Sequence, residues 1–307
     1  MAAPLIDLQA LTRSYGSRRG VEAVDLQVPE GVLFGFLGPN GAGKTTAIRV
    51  LLGLLRPTFG TARIMGLDCW HASARIKADV GYVPGDLRLY PWLTGESALR
   101  LVGAVRRRDV MKGGRELAQQ FDLDLKVRVR DMSKGMRQKV GLIIAMAHDP
   151  RLLILDEPTS GLDPLMQDLF RDLLRERCAR GRTVFFSSHS LGEVEQLCDR
   201  LAIVREGRIV ADASLADLRA KAGHEVTMRF RDAAAAEREP PAFLKGLVRN
   251  GLTWTAMLDG PPDPLIRWLA MLPPLTIDVL TIGRPDLEAL FRRYYMPSDA
   301  AAKKDNP

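Results

Sequence analysis

A glycine-rich segment at residues 38–46, GPNGAGKTT, has the residue types and spacing of a phosphate-binding loop. Four residues separate Gly38 from Gly43, and Lys44 and Thr45 follow at once, which is the Walker A pattern. Since glycine has no Cβ, the backbone can curl and direct successive N–H groups at a triphosphate. We expect Lys44 to reach the β- and γ-phosphates of a nucleoside triphosphate and the Thr45 hydroxyl to bind Mg²⁺. The residues expected to contact the nucleotide in this loop are Gly38, Pro39, Asn40, Gly41, Ala42, Gly43, Lys44, Thr45 and Thr46.

Two neighbouring carboxylates, Asp156 and Glu157, directly follow the apolar run LLIL at residues 152–155. A surface turn is the alternative explanation, but the four apolar residues favour a buried strand that carries both carboxylates at its end. Ligands of open α/β sheets bind at the carboxyl ends of the strands. We therefore expect Asp156 to hold Mg²⁺ and Glu157 to polarise the water that attacks the γ-phosphorus. Together the two motifs predict an enzyme that hydrolyses a nucleoside triphosphate.

The phosphate-binding loop requires a strand before it and a helix after it, and the sequence predicts both. The run VLFGFL at residues 32–37 is typical of a buried parallel strand. After Lys44, the apolar residues at 48, 51, 52 and 55 have helical spacing, and Pro57 ends the pattern. The first amides of such a helix carry partial positive charge, which stabilises a bound phosphate.

Alternating strand and helix patterns predict an α/β fold with a mostly parallel sheet. Strands are predicted at residues 5–8, 24–28, 32–37, 80–83, 152–155, 183–187 and 201–204. Helices are predicted at residues 95–105, 111–121, 133–147 and 166–180. The first three of these helices lie within residues 87–150 and indicate a helical subdomain.

A composition break at residues 231–241, RDAAAAEREPP, precedes a part of the chain whose sequence predicts no chemistry of its own. Strand-like pieces at residues 225–230, 252–258 and 275–281, with an amphipathic helix at 285–295, predict a small α+β appendix. The predicted domains are an ATP-binding domain at residues 1–222, an accessory domain at 223–296 and a disordered tail at 297–307.

Composition argues against several other classes of protein. The 307 residues contain 44 Lys and Arg against 37 Asp and Glu, a net charge of +7, but the densest basic stretches lack the stacking aromatics of a nucleic-acid groove. The three cysteines, Cys69, Cys178 and Cys198, are too few and too scattered for a disulfide framework or a zinc site, and we expect reduced thiols. No segment approaches the roughly 20 apolar residues of a membrane span, so any pore would belong to another polypeptide.

These motifs, in this order, resemble those of the ATP-binding subunits of ABC transporters over about residues 5–220. The chain is most similar to the drug-export, daunorubicin-resistance-like branch, in which the permease is a separate chain. The resemblance implies a P-loop ATPase fold of the ABC type with a helical subdomain, and ATP with Mg²⁺ as the ligands.

The resemblance assigns roles to further residues. Tyr15 stands where the family places an aromatic that stacks on adenine, although a core tyrosine is the alternative. Residues 132–136, MSKGM, resemble the family signature, in which Ser133 and Gly135 would contact the γ-phosphate of an opposing subunit. Read without the family, the same residues are an N-capped helix. Residues 160–163, SGLD, match the D-loop of the family, which joins two subunits across the dimer, and Asp163 is the last residue of this match. His189 matches the switch histidine that contacts the γ-phosphate. The alternative is a structural role, which is usual for a histidine after a strand.

Two departures from the family pattern affect coupling rather than the ATP site. Gly85 and Asp86 stand where the family usually has a glutamine near the magnesium ion, and glycine has no side chain to replace it. Lys134 and Met136 replace the second glycine and the glutamine of the signature.

The resemblance also implies partners. Two copies would meet head to tail as a homodimer around two ATP molecules, and a separate transmembrane permease would hold the chain at the cytoplasmic face of the cell membrane. The permease is expected to dock near residues 82–95, through Leu87, Leu89, Tyr90, Trp92 and Leu93, unless these residues cover the local core. No nucleic acid is expected. The alternatives are a soluble ATP-driven switch acting on the ribosome or DNA, and a catalytically silent regulatory subunit.

Overall fold

The computed structural model describes residues 3–16, 18–221, 224–258, 261–285, 287 and 291. The chain divides into two compact units, with the division between Asp212 and Ala213.

The first unit alternates strands and helices, as expected for an α/β fold. Its strands are β1 (Ile6–Tyr15), β2 (Arg18–Val28), β3 (Leu33–Leu37), β4 (Phe59–Ile64), β5 (Leu67–Asp68), β6 (Val80–Val83), β7 (Leu152–Asp156), β8 (Thr183–Ser188), β9 (Arg200–Arg205) and β10 (Arg208–Ser214). Its α-helices are α1 (Lys44–Leu51), α2 (Ser73–Ala78), α3 (Gly95–Arg106), α4 (Met111–Gln120), α5 (Lys134–Met146), α6 (Pro164–Ala179) and α7 (Leu191–Leu197). A 3₁₀-helix spans Val129–Asp131.

A six-stranded sheet of order β10-β9-β3-β8-β7-β6 forms the centre of this unit. Strands β6, β7, β8, β3 and β9 pair in parallel, which confirms the predicted parallel sheet. Every residue of β3, β7 and β8 is buried, because helices cover both faces of such a sheet. The register sets Leu37 beside Ser188 and Asp156 beside Ser187, so the ends of β3, β7 and β8 meet at one edge.

A second, antiparallel sheet of order β2-β1-β4-β5 was not predicted as a layer of its own. The sequence indicated only the first part of β1 and the last part of β2, and it missed β4. The reason is visible in the pairing of β1 with β2, where the register shifts after Leu8 and again after Leu11 and Arg13. Each shift breaks the alternation of apolar and polar residues by which a strand is recognised.

Local signals define the helices of the segment between β6 and β7. Thr94 caps α3, since its hydroxyl oxygen accepts from the Ser97 amide and the Ser97 side chain bonds back to the Thr94 amide. Ser133 caps α5 in the same manner by accepting from the Met136 amide. The helices therefore begin close to the predicted positions.

The second unit contains an antiparallel sheet of order β12-β13-β11-β14 with short helices. Its elements are α8 (Leu215–Lys221), β11 (His224–Phe230), α9 (Ala233–Ala236), β12 (Leu244–Asn250), β13 (Thr253–Leu258), α10 (Asp263–Ala270) and β14 (Ile277–Pro285). Trp254 is fully buried at its centre, and its indole N–H donates to the Ala236 carbonyl. The strand β12 and the helix α10 were not predicted. The helix predicted at residues 285–295 lies mostly outside the described residues, and the tail at 297–307 lies wholly outside them.

Among the residues that the structure describes, no helix has both the length and the apolar character to cross a membrane. The three cysteines all lie in the described part of the chain and are free thiols.

His148, in the turn after α5, is a buried base beside several guanidinium groups. It is 8% exposed. Burial, together with the positive charge of Arg106, lowers its pKa to about 4; a hydrogen bond with the Val80 backbone opposes this shift, and Arg108 and Arg177 add smaller contributions to it. The folded chain therefore keeps this imidazole neutral at pH values where an ordinary histidine becomes charged.

We expect His148 to make the first unit less stable as the pH falls from about 6.5 to about 4. In the unfolded chain this histidine has an ordinary pKa near 6.5 and binds a proton first, so acid favours unfolding through it. At pH 5 the loss is at most about 2 kcal/mol. Denaturant unfolding between pH 7.5 and 5 should show a shallower pH dependence for His148→Gln. The exposed His71→Gln variant is the matched control and should keep the wild-type slope; equal slopes in all three proteins would contradict the assignment.

Candidate nucleotide-binding site

A cavity of about 450 Å³ opens where β3 ends and α1 begins. This volume lies within the range of small-molecule sites in proteins. The residues that line it are Tyr15, Gly20, Asn40, Gly41, Gly43, Lys44, Thr45, Thr46 and Glu157. Most residues of the predicted phosphate-binding loop therefore face one space, together with the predicted adenine-stacking residue and one of the two carboxylates.

The loop between β3 and α1 depends on glycine at two close approaches. A Cβ on Gly43 would lie 2.2 Å from the Gly20 carbonyl oxygen, and the backbone there has φ of 103°, in the left-handed region. A Cβ on Gly38 would lie 2.4 Å from the Val204 carbonyl oxygen. Among the described residues, no side chain caps the N-terminus of α1, so its first amides remain available to an anion.

Lys44 places a buried positive charge inside the loop. Its side chain is 5% exposed, and Nζ donates to the Gly38 carbonyl at 2.6 Å and the Pro39 carbonyl at 3.2 Å. Nζ also lies 3.6 Å from Glu157 Oε1. Burial lowers the pKa of Lys44 below its usual value, although the negative charges of Glu157 and Asp156 partly oppose this shift. A cation held this way, with most of its hydration removed, favours an incoming anion.

Thr45 and Asp156 form an oxygen cluster next to the cavity. The Thr45 hydroxyl donates to Asp156 Oδ2 at 3.0 Å, and the buried Ser187 hydroxyl donates to Asp156 Oδ1. No group of three or more acidic, histidine or cysteine side chains suited to a metal occurs in the described ranges. Mg²⁺ does not require one, because it commonly uses one or two carboxylates together with substrate phosphates and water. A hydroxyl and a carboxylate at this separation therefore fit its ligand preference.

Glu157 and His189 meet at the ends of β7 and β8. His189 Nδ1 lies 3.1 Å from Glu157 Oε1, the same oxygen that faces Lys44. Glu157 has φ of 50°, a left-handed conformation that is strained for a residue with a Cβ. Its amide donates to the Ser187 carbonyl at 3.1 Å, which holds this turn against β8. A carboxylate, an imidazole and an ammonium group are thus brought together at the cavity.

Tyr15 is 40% exposed and lines the cavity, so the structure does not place it in the core. The Arg13 guanidinium carbon lies 5.2 Å from the centre of the Tyr15 ring. Arg13 Nη1 also donates to the Arg56 carbonyl at 3.1 Å, which fixes the guanidinium beside the ring. The geometry gives the aromatic ring a cationic neighbour.

Ser133, Gly135 and Asp163 lie apart from this cavity, since the described residues that line it do not include them. Ser133 caps α5, and Asp163 caps α6 by accepting from the Met166 amide. Lys134, the replacement in the signature, donates to the Ser160 hydroxyl at 3.0 Å within the same chain.

The glycine that replaces the expected glutamine borders a second cavity of about 400 Å³. Its lining residues are Thr45, Arg49, Tyr82, Pro84, Gly85, Asp86, Asp156 and Glu157. The Asp86 carboxylate pairs with Arg88 at 2.8 Å, and its side chain is 76% exposed. Burial and the negative charge of Asp156 raise the pKa of Tyr82 to about 12, so its hydroxyl stays protonated near neutral pH.

Ser187 and Gly20 were not predicted from the sequence as residues of this site. Two serines after the apolar run TVFF were a usable signal for Ser187, because they mark the end of a strand next to β7. Nothing in the sequence indicated Gly20, which matters only because the loop approaches its backbone.

We expect Gly43→Ala to weaken nucleotide binding at least tenfold. The added methyl group would overlap the Gly20 carbonyl and force the loop to move. Gly181→Ala is the matched control, because Gly181 has a similar φ of 80° but an added Cβ would contact none of the described atoms. Titration with a fluorescent ATP analogue should show at least a tenfold weaker affinity for the first variant and an unchanged affinity for the second. An unchanged affinity for both would contradict the placement of the nucleotide.

Known proteins resemble this chain over most of its length. A family model described as ABC transporter matches residues 21–160. The daunorubicin/doxorubicin resistance ATP-binding protein DrrA of Streptomyces peucetius is 33% identical over 299 residues, which cover 93% of this chain and 91% of that protein. Nod factor export ATP-binding protein I of Paraburkholderia xenovorans is 36% identical over 220 residues, or 70% of this chain and 72% of that protein.

A solved structure of an ATP-binding subunit of an ABC transporter has the same fold. Its TM-score is 0.66 at 32% identity, and the match covers 70% of this chain and 92% of the other. The 33% identity with DrrA extends along nearly the whole of both chains. Together with the shared fold and the motifs around the cavity, it shows that this chain belongs to the ATP-binding subunits of ABC transporters and is an ATPase.

Proposed function

We propose that this chain is the ATP-hydrolysing subunit of an exporter, which drives a separate membrane permease by closing and opening an ATP-dependent dimer. The observation that carries the proposal is the convergence of Lys44, Glu157 and His189 beside the Thr45–Asp156 oxygen pair. These are the groups needed to hold a terminal phosphate and to direct water at it.

ATP binding would use the charge already buried in the loop. Lys44 Nζ would leave its carbonyl partners for the β- and γ-phosphates, and the first amides of α1 would bind the phosphate oxygens. Tyr15 would stack on the base, where such contacts are worth about 1–3 kcal/mol. Thr45 and Asp156 would hold Mg²⁺, which would neutralise charge on the phosphate oxygens when bound.

Hydrolysis would follow from the position of Glu157. With Lys44 drawn to the phosphates, the Glu157 carboxylate is free to accept a hydrogen bond from water and to orient it for in-line attack. His189, within hydrogen-bonding distance of the same oxygen, would hold the carboxylate and contact the γ-phosphate. The strained backbone of Glu157 fits a residue held for this purpose.

Dimerisation would complete the site. Ser133 and Gly135 begin the helix α5 away from the cavity of their own chain, so in a head-to-tail homodimer they would instead supply a hydroxyl and amides to the partner's nucleotide. Asp163 and its loop would lie at the same junction. Repulsion between the products would then reopen the dimer.

A permease partner is supported by an exposed aromatic pair. Tyr90 is 62% exposed and Trp92 is 68% exposed, and their rings stack with centroids 4.7 Å apart. Covering the local core does not account for two such exposed rings, whereas a helix of a membrane partner would bury them. Docking there would hold this chain at the cytoplasmic face of the membrane.

Export, rather than import, is supported by the Nod factor export and drug-resistance relatives. The same relatives do not favour a soluble switch that acts on the ribosome or on DNA.

We expect Glu157→Gln to lower ATP hydrolysis by about 10²–10⁴-fold, the usual contribution of a positioned base. ATP binding should persist, so the variant should form a stable ATP-dependent dimer on size-exclusion chromatography. Glu206→Gln, at a side chain that is 79% exposed, is the control and should hydrolyse ATP like the wild type. Undiminished hydrolysis by Glu157→Gln would refute the base role, and a monomer at saturating ATP would refute the dimer.

We expect Trp92→Glu to detach the chain from membranes of the cells that produce it, because it places a charge in an apolar contact. The measurement is the fraction of tagged chain that sediments with those membranes. Phe59→Glu is the matched control, since Phe59 is 71% exposed on β4 and away from the aromatic pair. Equal sedimentation of wild type and Trp92→Glu would contradict docking at this surface.

A further inference from the structure

Glu193, in the first turn of α7, receives hydrogen bonds on both carboxylate oxygens. The Thr159 hydroxyl donates to Oε1 at 2.5 Å, and the Ser188 hydroxyl donates to Oε2. Both hydroxyl residues are buried, with Thr159 8% and Ser188 1% exposed. Hydrogen bonds to an ionised acceptor in such surroundings are short and strong. One side chain thus links two separate segments of the chain, and we call the pair of hydrogen bonds from Thr159 and Ser188 to Glu193 the tie.

The two tied segments carry the reacting groups of the proposed site. Thr159 follows Glu157 by two residues, and Ser188 directly precedes His189. The Ser188 hydroxyl also accepts from the Ser190 amide at 2.9 Å, which fixes the turn that contains His189. The carboxylate of Glu193 therefore acts on the separation between Glu157 and His189.

A second buried side chain, on a different helix, holds the same segment. Gln138 on α5 is 6% exposed and donates to the Pro158 carbonyl at 2.8 Å. The residues after Glu157 are consequently held between the helix that begins with Ser133 and the helix that follows His189. Such bracing matters because Glu157 adopts a left-handed backbone that persists only where its surroundings fix it.

A role for Glu193 as a helix cap does not account for these contacts. An acidic residue in the first turn favours a helix through its dipole, but that effect needs no particular partner. Within the described part of the chain, no side chain caps α7, and both oxygens of Glu193 are directed at Thr159 and Ser188 instead.

We propose that Glu193 is a positioning residue for ATP hydrolysis: by binding Thr159 and Ser188 together, it sets the geometry of Glu157 relative to His189. The inference rests on the proposed function of those two residues. It predicts that losing the tie slows the chemical step while leaving ATP binding intact, because the phosphate-binding loop meets Ser188 at its backbone and the tie uses its hydroxyl. The Gly38 amide donates to the Ser188 carbonyl at 3.2 Å, whereas the Ser188 hydroxyl donates to Glu193.

The test compares Glu193→Ala, Glu193→Gln, Thr159→Val and Ser188→Ala by kcat, by KM for ATP and by thermal unfolding. Glu193→Ala should lower kcat about tenfold or more with KM unchanged. Glu193→Gln should keep much of the activity, because an amide can still accept from one hydroxyl and donate to the other. Glu116→Ala, which removes an exposed carboxylate on α4, is the control and should match the wild type.

Combining the variants separates a tie from a general structural effect. Adding Thr159→Val or Ser188→Ala to Glu193→Ala should cause little further loss, since the shared contact is already gone. Fully additive losses, or an unchanged kcat in Glu193→Ala, would overturn the inference. Should Glu193→Ala fail to fold, Thr159→Val and Ser188→Ala alone decide it: unchanged kcat in both contradicts the tie. If Glu157→Gln is fully active, the proposed function itself fails, and that outcome is distinct from a failure of the tie.

Discussion

A buried ammonium group is the constraint on which the site depends. Lys44 sits among backbone carbonyls and beside Glu157, with most of its hydration removed. Removing a charge from water is costly unless partners replace the solvent, so the loop must wrap closely around the side chain. That requirement explains why Gly43 and Gly38 lie where a Cβ would strike a carbonyl oxygen. The same buried charge would favour a bound phosphate, whose negative charge offsets the cation better than neutral carbonyls do.

The parallel sheet brings the other groups to this cation. Because β3, β7 and β8 run in the same direction, their carboxyl ends deliver the loop, the carboxylates and His189 to one edge. Asp156 is the last residue of β7 and Ser187 lies beside it on β8, so the carboxylate is oriented by its neighbour strand. Hydrogen bonds from Thr159 and Ser188 to Glu193 then brace the turns that leave both strands.

The sequence predicted those parts of the molecule that are encoded by residues close together in the chain. The phosphate-binding loop, the helix after it and the apolar run before Asp156 are local patterns, and the parallel sheet that they imply is confirmed. The antiparallel layer was missed because bulges in β1 interrupt its alternation. Glu193 and Gln138 were missed for a different reason: Thr159 lies 34 residues from Glu193, Pro158 lies 20 residues from Gln138, and only the folded chain brings each pair together. The roles of the individual site residues remain predictions.

Equilibrium binding of ATP in the presence of Mg²⁺, compared between the wild type and Lys44→Ala, tests the central claim most directly. Loss of a charged hydrogen-bond donor to phosphate is worth roughly 1.5–3 kcal/mol, so the affinity should fall by about 10- to 100-fold. Circular dichroism would establish that the variant remains folded. If Lys44→Ala binds ATP as tightly as the wild type does, the buried ammonium group of Lys44 does not recognise the triphosphate, and the central claim is wrong.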